Sequence, residues 1–201
     1  MTGIAQKVVA NIRKKHDMLL NYNIISSKSS VFKKIEQLYV DSFPPDERRE
    51  LSDFEKITSE CNCFSVLEVE TASGFAGFLS FWRLQGCVYI EHFAISPALR
   101  NSGIGEQVLK DFKARVGEPV IFEVEPPLGD TARRRISFYQ RNGFSLWEDI
   151  DYVQPPYGPD RQALPMRLMT MGFTSTRQVA SAVGQIRKMV YCLAEAQSSN
   201  T

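Results

Sequence analysis

The sequence predicts a mixed α/β (α+β) domain built on a mostly antiparallel sheet. Three strand-like segments, at about 63–70, 75–83 and 87–95, are separated only by short turn sequences, and connections this short join antiparallel neighbours. Around this meander, strand and helix patterns follow the order β-α-α-β-β-β-α-β-α-β-β. Such an order fits neither a closed barrel nor a doubly wound parallel sheet.

The first part of the domain is a strand followed by two helices. Alternating apolar residues indicate a strand from Met18, and the next helix has Ser29 or Ser30 as its cap. A Ser-x-x-Glu pattern from Ser52 to Glu55 is typical of a capping box and predicts a second, short helix.

After the meander, helices and strands alternate. The pattern predicts a helix that ends at Gly117, a strand, a helix that ends at Gly143, and two final strands. These segments are 102–116, 120–125, 130–143, 144–153 and 164–170.

A last helix follows, with a second capping-box pattern from Ser175 to Gln178. Its apolar stripe is formed by Val179, Val183, Ile186 and Val190. We expect this stripe to pack on the chain's own domain, the alternative being a twin helix in a homodimer. The predicted organisation is an N-terminal extension (1–17), a domain (18–171) and a C-terminal helix and tail (172–201).

Composition and charge exclude several classes of protein. The chain has 201 residues, of which 43% are hydrophobic, enough to bury one sizeable core. Its formal charge is +1, and no basic run is longer than the three residues of Arg133–Arg135, so no nucleic-acid partner is expected. No apolar stretch approaches the roughly 20 residues of a membrane span, and no secretory signal pattern is present. We expect a cytoplasmic protein, monomeric or homodimeric, with no membrane partner.

The cysteines do not indicate a metal site. Cys61 and Cys63 form a Cys-x-Cys pair with no second pair and no nearby histidine, which is poor spacing for zinc. We expect reduced thiols and no bound metal.

A glycine-rich loop stands between the third meander strand and its helix, in the segment Arg100-Asn101-Ser102-Gly103-Ile104-Gly105. Glycines let the backbone approach a ligand closely, and the amides at a helix N-terminus suit a pyrophosphate. Glu106 stands where a nucleoside-triphosphate loop needs lysine. Val108 stands where a dinucleotide fold needs a third glycine. The remaining alternative is a turn that only caps the helix.

Two segments together resemble the signatures of the GCN5-related N-acetyltransferase (GNAT) family. Arg100-x-x-Gly103-x-Gly105, preceded by a strand that ends at Ile95, resembles the acyl-CoA-binding segment of that family. The segment from Arg134 to Phe144, with an aromatic pair and a Gly-Phe ending, resembles its second signature. The resemblance covers the chain from Met18 to about Met171. It implies a splayed sheet flanked by helices, the acyl-CoA N-acyltransferase fold.

The resemblance also implies acetyl-CoA as co-substrate, with its pantetheine arm along the fourth strand. In that arrangement the backbone amide of Phe93 polarises the thioester carbonyl and stabilises the developing negative charge. Ala132 replaces an asparagine that many members carry, so one family contact is missing. The implied cofactor-binding residues are Phe93, Ala94, Ile95, Arg100, Asn101, Ser102, Gly103, Ile104, Gly105 and Phe138.

Acetyl transfer to an amine also needs a general acid for the departing thiolate. The resemblance places Tyr139 in that role, beside the cofactor sulfur. The alternative is that Tyr139 is a core aromatic residue.

The general base remains open, because Tyr89 occupies the position of a glutamate found in histone-type members. Glu91, two residues on, is expected to share a strand face with Phe93, and His92 is expected to face the other way in a structural role. Glu125 and Glu123 share a face of the next strand and are further candidates. A water relay, or no base, completes the alternatives.

The sequence therefore predicts an acetyl-CoA-dependent N-acetyltransferase that acts by direct transfer, since no cysteine lies in a motif for a covalent intermediate. A primary amine of a small molecule is the expected acceptor, because the segment from Tyr152 to Arg161 can narrow the site. The alternative is a non-catalytic acyl-CoA-binding or sensing module.

Overall fold

The computed structural model describes residues 19–192, and within that range seven strands form one sheet. The strands are β1 (Asn21–Ile25), β2 (Phe64–Thr71), β3 (Gly74–Leu84), β4 (Cys87–Ile95), β5 (Val120–Val124), β6 (Ser145–Gln154) and β7 (Leu164–Met171). Their spatial order is β1-β2-β3-β4-β5-β7-β6, and only the β4–β5 pair is parallel. The predicted mixed, mostly antiparallel sheet is confirmed. The predicted N-terminal extension and the strand start at Met18 lie outside the described residues.

Helices cover both faces of the sheet. They are α1 (Phe32–Ser42), α2 (Leu51–Glu60), α3 (Ile104–Val116), α4 (Asp130–Arg141) and α5 (Thr176–Met189). Apolar side chains of α1, α2 and α5 join one buried cluster, and those of α3 and α4 join another. We call the side covered by α1, α2 and α5 the first face and the side covered by α3 and α4 the second face.

The two predicted capping boxes have different outcomes. At α5, Ser175 Oγ accepts a hydrogen bond from the Gln178 amide at 3.4 Å, so this cap is confirmed. At α2 the prediction is wrong, because the helix already begins at Leu51 and Ser52 lies inside its first turn. The predicted Ser29 or Ser30 cap of α1 is also wrong. The cap position is Val31, and Ser29 contributes only its carbonyl, to the Phe32 amide at 3.0 Å.

A β-bulge interrupts β4 at Glu91. Ser80 of β3 pairs with His92 and Phe81 pairs with Ile90, which leaves Glu91 as the extra residue. The side chains of Glu91 and His92 consequently both contact residues of the first face, Trp82 and Tyr39 respectively. The expectation that Glu91 shares a face with Phe93, and that His92 faces the other way, is wrong.

The α5 stripe packs on the chain's own sheet, as expected. Val179 and Ile186 have no exposed surface, and Val190 is 1% exposed, all within the first-face core. Val183 is half-buried against the same core. The boundary drawn after Met171 stays a prediction.

The packing of α5 predicts a large cost for truncating its central side chain. Ile186→Ala should lower the free energy of unfolding by about 2–5 kcal/mol, as for other buried isoleucines. The same change at Ile24, which is 63% exposed, should cost less than about 1 kcal/mol. Urea unfolding of both variants checks this, and equal midpoints for the two variants would contradict the packing described for α5.

Truncation of the chain after Gly172 removes α5 and should therefore destabilise or precipitate the protein.

Candidate active site

The β4 and β5 strands pair over three residues only and then separate. Val88, Tyr89 and Ile90 pair with the segment 120–122. Beyond that point β4 stays paired with β3 as far as Ile95, and β5 stays paired with β7 as far as Val124. Because each strand follows its other neighbour, an opening forms between them from Glu91 onward.

Two backbone amides of β4 face this opening. The Ser96 amide donates to the Ala76 carbonyl at 2.8 Å and therefore points to the β3 side. Because alternate amides of a strand point to opposite edges, those of Phe93 and Ile95 point to the opening. Before the bulge the alternation is the reverse, because the amide of the even-numbered residue Val88 donates to the Pro119 carbonyl at 2.8 Å, on the β5 side. The bulge thus determines which backbone amides of β4 point into the opening.

The glycine-rich loop closes one end of the opening. Gly103 is the N-cap of α3 with φ +88°, and Asn101 has φ +60°, so the chain turns through left-handed conformations before the helix. Arg100 Nε donates to the Ile95 carbonyl at 3.1 Å, which ties the loop to the end of β4.

A cavity of about 550 Å³, the loop cavity, lies between this loop and α4. Seven predicted cofactor residues line it, namely Phe93, Ile95, Arg100, Asn101, Gly103, Gly105 and Phe138. The other three do not. Ala94 and Ile104 are buried in the core, and Ser102 is exposed with its hydroxyl donating to the Leu99 carbonyl at 2.6 Å.

A second cavity, of about 380 Å³, occupies the opening itself, and we call it the splay cavity. It shares Phe93, Ile95, Arg100 and Tyr139 with the loop cavity, so the two are adjacent. Its lining also contains five carboxylate side chains, those of Asp41, Glu47, Glu91, Glu123 and Glu125.

Tyr139 stands where the two cavities meet. Its ring lies 4.5 Å from that of Phe122, centroid to centroid. Burial raises the pKa of its phenol to about 12, against a smaller lowering by Arg135. The hydroxyl is therefore protonated at neutral pH and able to donate a proton.

Both oxygens of Glu91 are already engaged. Arg49 Nη2 lies 2.9 Å from Oε1, and Trp82 Nε1 donates to Oε2 at 3.1 Å. Burial opposes ionisation of Glu91, but Arg49, with help from His92 and Trp82, brings its pKa below the usual range. Glu91 is thus a fully buried carboxylate held by an arginine.

Glu123 in β5 and Glu125 just after it are the other two candidate carboxylates, and they have different partners. Glu125 is partly exposed and pairs with Arg135 of α4 at 2.6 Å. Glu123 accepts hydrogen bonds from the hydroxyls of Tyr152 and Tyr191, the latter at 2.9 Å. Burial raises the pKa of Glu123 to about 7, although those hydrogen bonds act to lower it.

Sequence reasoning missed Arg49 and Tyr191. Arg49 lies in the connection after α1, and its guanidinium also donates to the Val190 carbonyl at 2.8 Å. Tyr191 follows α5, far from either family signature. Neither residue belongs to a motif, so only the packing of α5 against the sheet reveals them.

The structure adds two observations on other kinds of site. Within residues 19–192, no three histidine, cysteine or acidic side chains come together as a group that would hold a metal ion. Over the same residues, no helix is both long enough and apolar enough to span a bilayer.

A parallel strand pair that opens beside a glycine-rich helix N-terminus is the arrangement of an acyl-CoA N-acyltransferase fold. The chain belongs to the GNAT family of acetyltransferases, whose family model matches residues 32–144. A comparison with curated proteins gives no match.

Similar solved structures carry the same family description. A structure from Bacteroides thetaiotaomicron, described as a GNAT-family protein, is 36% identical, with a TM-score of 0.81, and the match covers 87% of this chain and 99% of that one. An Elizabethkingia anophelis GNAT acetyltransferase with acetyl-CoA bound is 16% identical, with a TM-score of 0.53 over 77% and 98% of the two chains. A Bacillus subtilis acetyltransferase in complex with CoA is 13% identical, with a TM-score of 0.53 over 78% and 100%.

The left-handed conformation of Gly103 predicts the effect of a side chain there. Gly103→Val should weaken acetyl-CoA binding about tenfold or more, because the strained loop moves away from the ligand. Gly117 ends the same helix with φ +63° and open space around it, so Gly117→Val carries similar strain away from the loop cavity. Calorimetry should show unchanged affinity for that control. If a folded Gly103→Val variant bound acetyl-CoA with unchanged affinity, the loop would not be part of the binding site.

Proposed function

We propose that the protein transfers the acetyl group of acetyl-CoA directly to a primary amine of a small molecule, in the cytoplasm and without a covalent enzyme intermediate. Family membership implies acetyl-CoA-dependent acyl transfer in general. The observation that carries the proposal for this chain is the opening between β4 and β5, with two backbone amides facing it and the glycine loop at its end.

The residues present fit acetyl-CoA as co-substrate. First-turn amides of α3, at an N-terminus capped by Gly103, suit the pyrophosphate. The amides of Phe93 and Ile95 are donors for the pantetheine arm, in the manner of an added strand. At Gly105, a Cβ atom would lie 3.4 Å from the Phe138 ring, so the absence of a side chain keeps the gap between α3 and α4 open.

Two groups of the chain act on the thioester in this proposal. The Phe93 amide donates to the carbonyl oxygen and stabilises its negative charge as the amine nitrogen attacks the carbon. As the carbon–sulfur bond breaks, Tyr139 donates its proton to the departing thiolate. Its pKa of about 12 keeps that proton in place until the thiolate forms.

The splay cavity supports a small, cationic acceptor. Its volume of about 380 Å³ is that of a small-molecule site. Tyr157, from the segment expected to narrow the site, lines it and lies under the Arg49 guanidinium, 4.9 Å from ring centroid to Cζ. The lining contains five carboxylates against two arginines, Arg100 and Arg135, and this excess of acidic groups favours an amine that arrives as an ammonium.

Glu91 and Glu125, the predicted general bases, are each paired with an arginine. An arginine partner stabilises the ionised carboxylate, which makes it a weaker proton acceptor. We propose that both form structural ion pairs in the cavity wall and that neither is the base. Glu123 has no such partner among its hydrogen-bonding groups, which are tyrosines.

A thiol-release assay over a panel of small amines tests the function. We expect turnover with at least one small primary amine and none with the corresponding alcohols. Binding of acetyl-CoA without turnover on any amine would instead favour the non-catalytic acyl-CoA-binding module.

In the same assay, Tyr139→Phe should lower kcat by roughly 10²-fold, as for the loss of a general acid. The affinity for acetyl-CoA, measured by calorimetry, should stay unchanged because the ring remains. If Tyr139→Phe turned over at the wild-type rate, Tyr139 would have only a packing role.

A further inference from the structure

Glu123 occupies a distinctive place in the opening. It is the first residue of β5 beyond the last residue paired with β4, and it lines the splay cavity. Its hydrogen-bonding partners belong to the first face, opposite the α3 and α4 side that carries the glycine loop. The carboxylate therefore enters the splay cavity from the first-face side, opposite the glycine loop.

Tyrosine hydroxyls hold this carboxylate on both of its oxygens. Tyr152 of β6 donates to Oε1, and Tyr191 donates to Oε2 at 2.9 Å. The Tyr191 hydroxyl also lies 3.4 Å from those of Tyr89 and Tyr157, so it is the centre of the cluster.

The α5 helix fixes the position of Tyr191. The Tyr191 amide donates to the Ile186 carbonyl at 3.3 Å, which continues the last turn. The neighbouring Val190 carbonyl accepts from Arg49 at 2.8 Å, the same arginine that holds Glu91. The backbone that carries the Tyr191 side chain is thereby anchored by the last turn of α5 and by Arg49.

The charge environment of Glu123 matches a proton acceptor. Burial raises its pKa to about 7, and the tyrosine donors act against that rise. A carboxyl group that titrates near the working pH is an effective general base. The titratable and charged groups around Glu123 and its tyrosines are Tyr89 and Glu91 of β4, Tyr152 of β6, Tyr157 of the following loop, Tyr191, Arg49, and Arg187 of α5.

We infer that Glu123 takes the proton from the acceptor amine and that Tyr191 is a positioning residue for it, which makes the end of α5 part of the active site. This inference rests on the proposed function. It also extends the site beyond residues 32–144, the segment that the family model matches.

The proton balance of the step is complete. The amine arrives as an ammonium and gives one proton to the ionised Glu123, directly or through one water. The freed nitrogen lone pair forms the bond to the carbonyl carbon as the carbon–sulfur bond breaks, and the thiolate takes the proton of Tyr139. A second proton from the nitrogen returns Tyr139 to its neutral form, and Glu123 releases its proton to solvent.

The pH profile of Tyr191→Phe tests the positioning role. Removal of one donor to the carboxylate should raise the pKa of Glu123, so the acid limb of kcat/KM should move up by about 0.5–1 pH unit. Activity should recover above that limb. Tyr152→Phe removes the donor on the other oxygen and should move the limb the same way. Glu123→Gln should abolish the limb and most of the activity.

Tyr22→Phe is the matched control, because Tyr22 donates to the Asp111 carboxylate at 2.7 Å in a remote part of the fold. Its profile should equal that of the wild type. An unmoved acid limb in Tyr191→Phe would overturn the inference, whatever Tyr152→Phe does.

A measurement independent of turnover separates this inference from the proposed function. Carbon NMR of labelled glutamate carboxyls should show one group that titrates near pH 7, is absent in Glu123→Gln and moves upward in Tyr191→Phe. If an enzyme that acetylates amines lacks this titration, the inference fails and the function stands. If the titration is present but no amine is acetylated, the proposed function fails, and the base role with it.

Discussion

The early end of the β4–β5 pairing is the constraint on which the rest of the site depends. Only three residue pairs join the two strands, because β4 then follows β3 and β5 follows β7. A strand edge that loses its neighbour leaves backbone donors without partners from that side. In this chain the opened edge carries the amides of Phe93 and Ile95, and a ligand with acceptor groups along its length restores the missing hydrogen bonds.

The bulge at Glu91 gives that edge its register. The one extra residue reverses the alternation of amide directions along β4. The amides of Phe93 and Ile95 therefore face the opening, whereas without the bulge the amides of even-numbered residues would face it. The bulge also turns Glu91 and His92 to the same face. His92 Nε2 donates to the Glu47 carbonyl at 3.0 Å, and its Nδ1 accepts from Ser80 at 3.3 Å, which makes it the structural residue that the sequence suggested.

Local signals in the sequence predicted the meander and the end of α3, although they misplaced the caps of α1 and α2. Short turns between strands specified the meander, and Gly117, at φ +63°, ended α3 where the pattern placed its end. The bulge left no such signal, since it depends on how two strands pair, and the face of Glu91 was therefore predicted wrongly. Arg49 and Val190 contact each other across 141 positions of sequence, a distance over which a pattern carries no information. The same holds for Tyr191 and Glu123.

Backbone amide NMR with acetyl-CoA tests the role of the opened strand most directly. On addition of acetyl-CoA, the amide resonances of Phe93 and Ile95 should shift and their hydrogen exchange should slow, because these two amides gain an acceptor. The amides of His92 and Ala94, which point to β3, should keep their exchange rates. If the exchange rate of each of the four amides were the same with and without acetyl-CoA, that result would contradict the account.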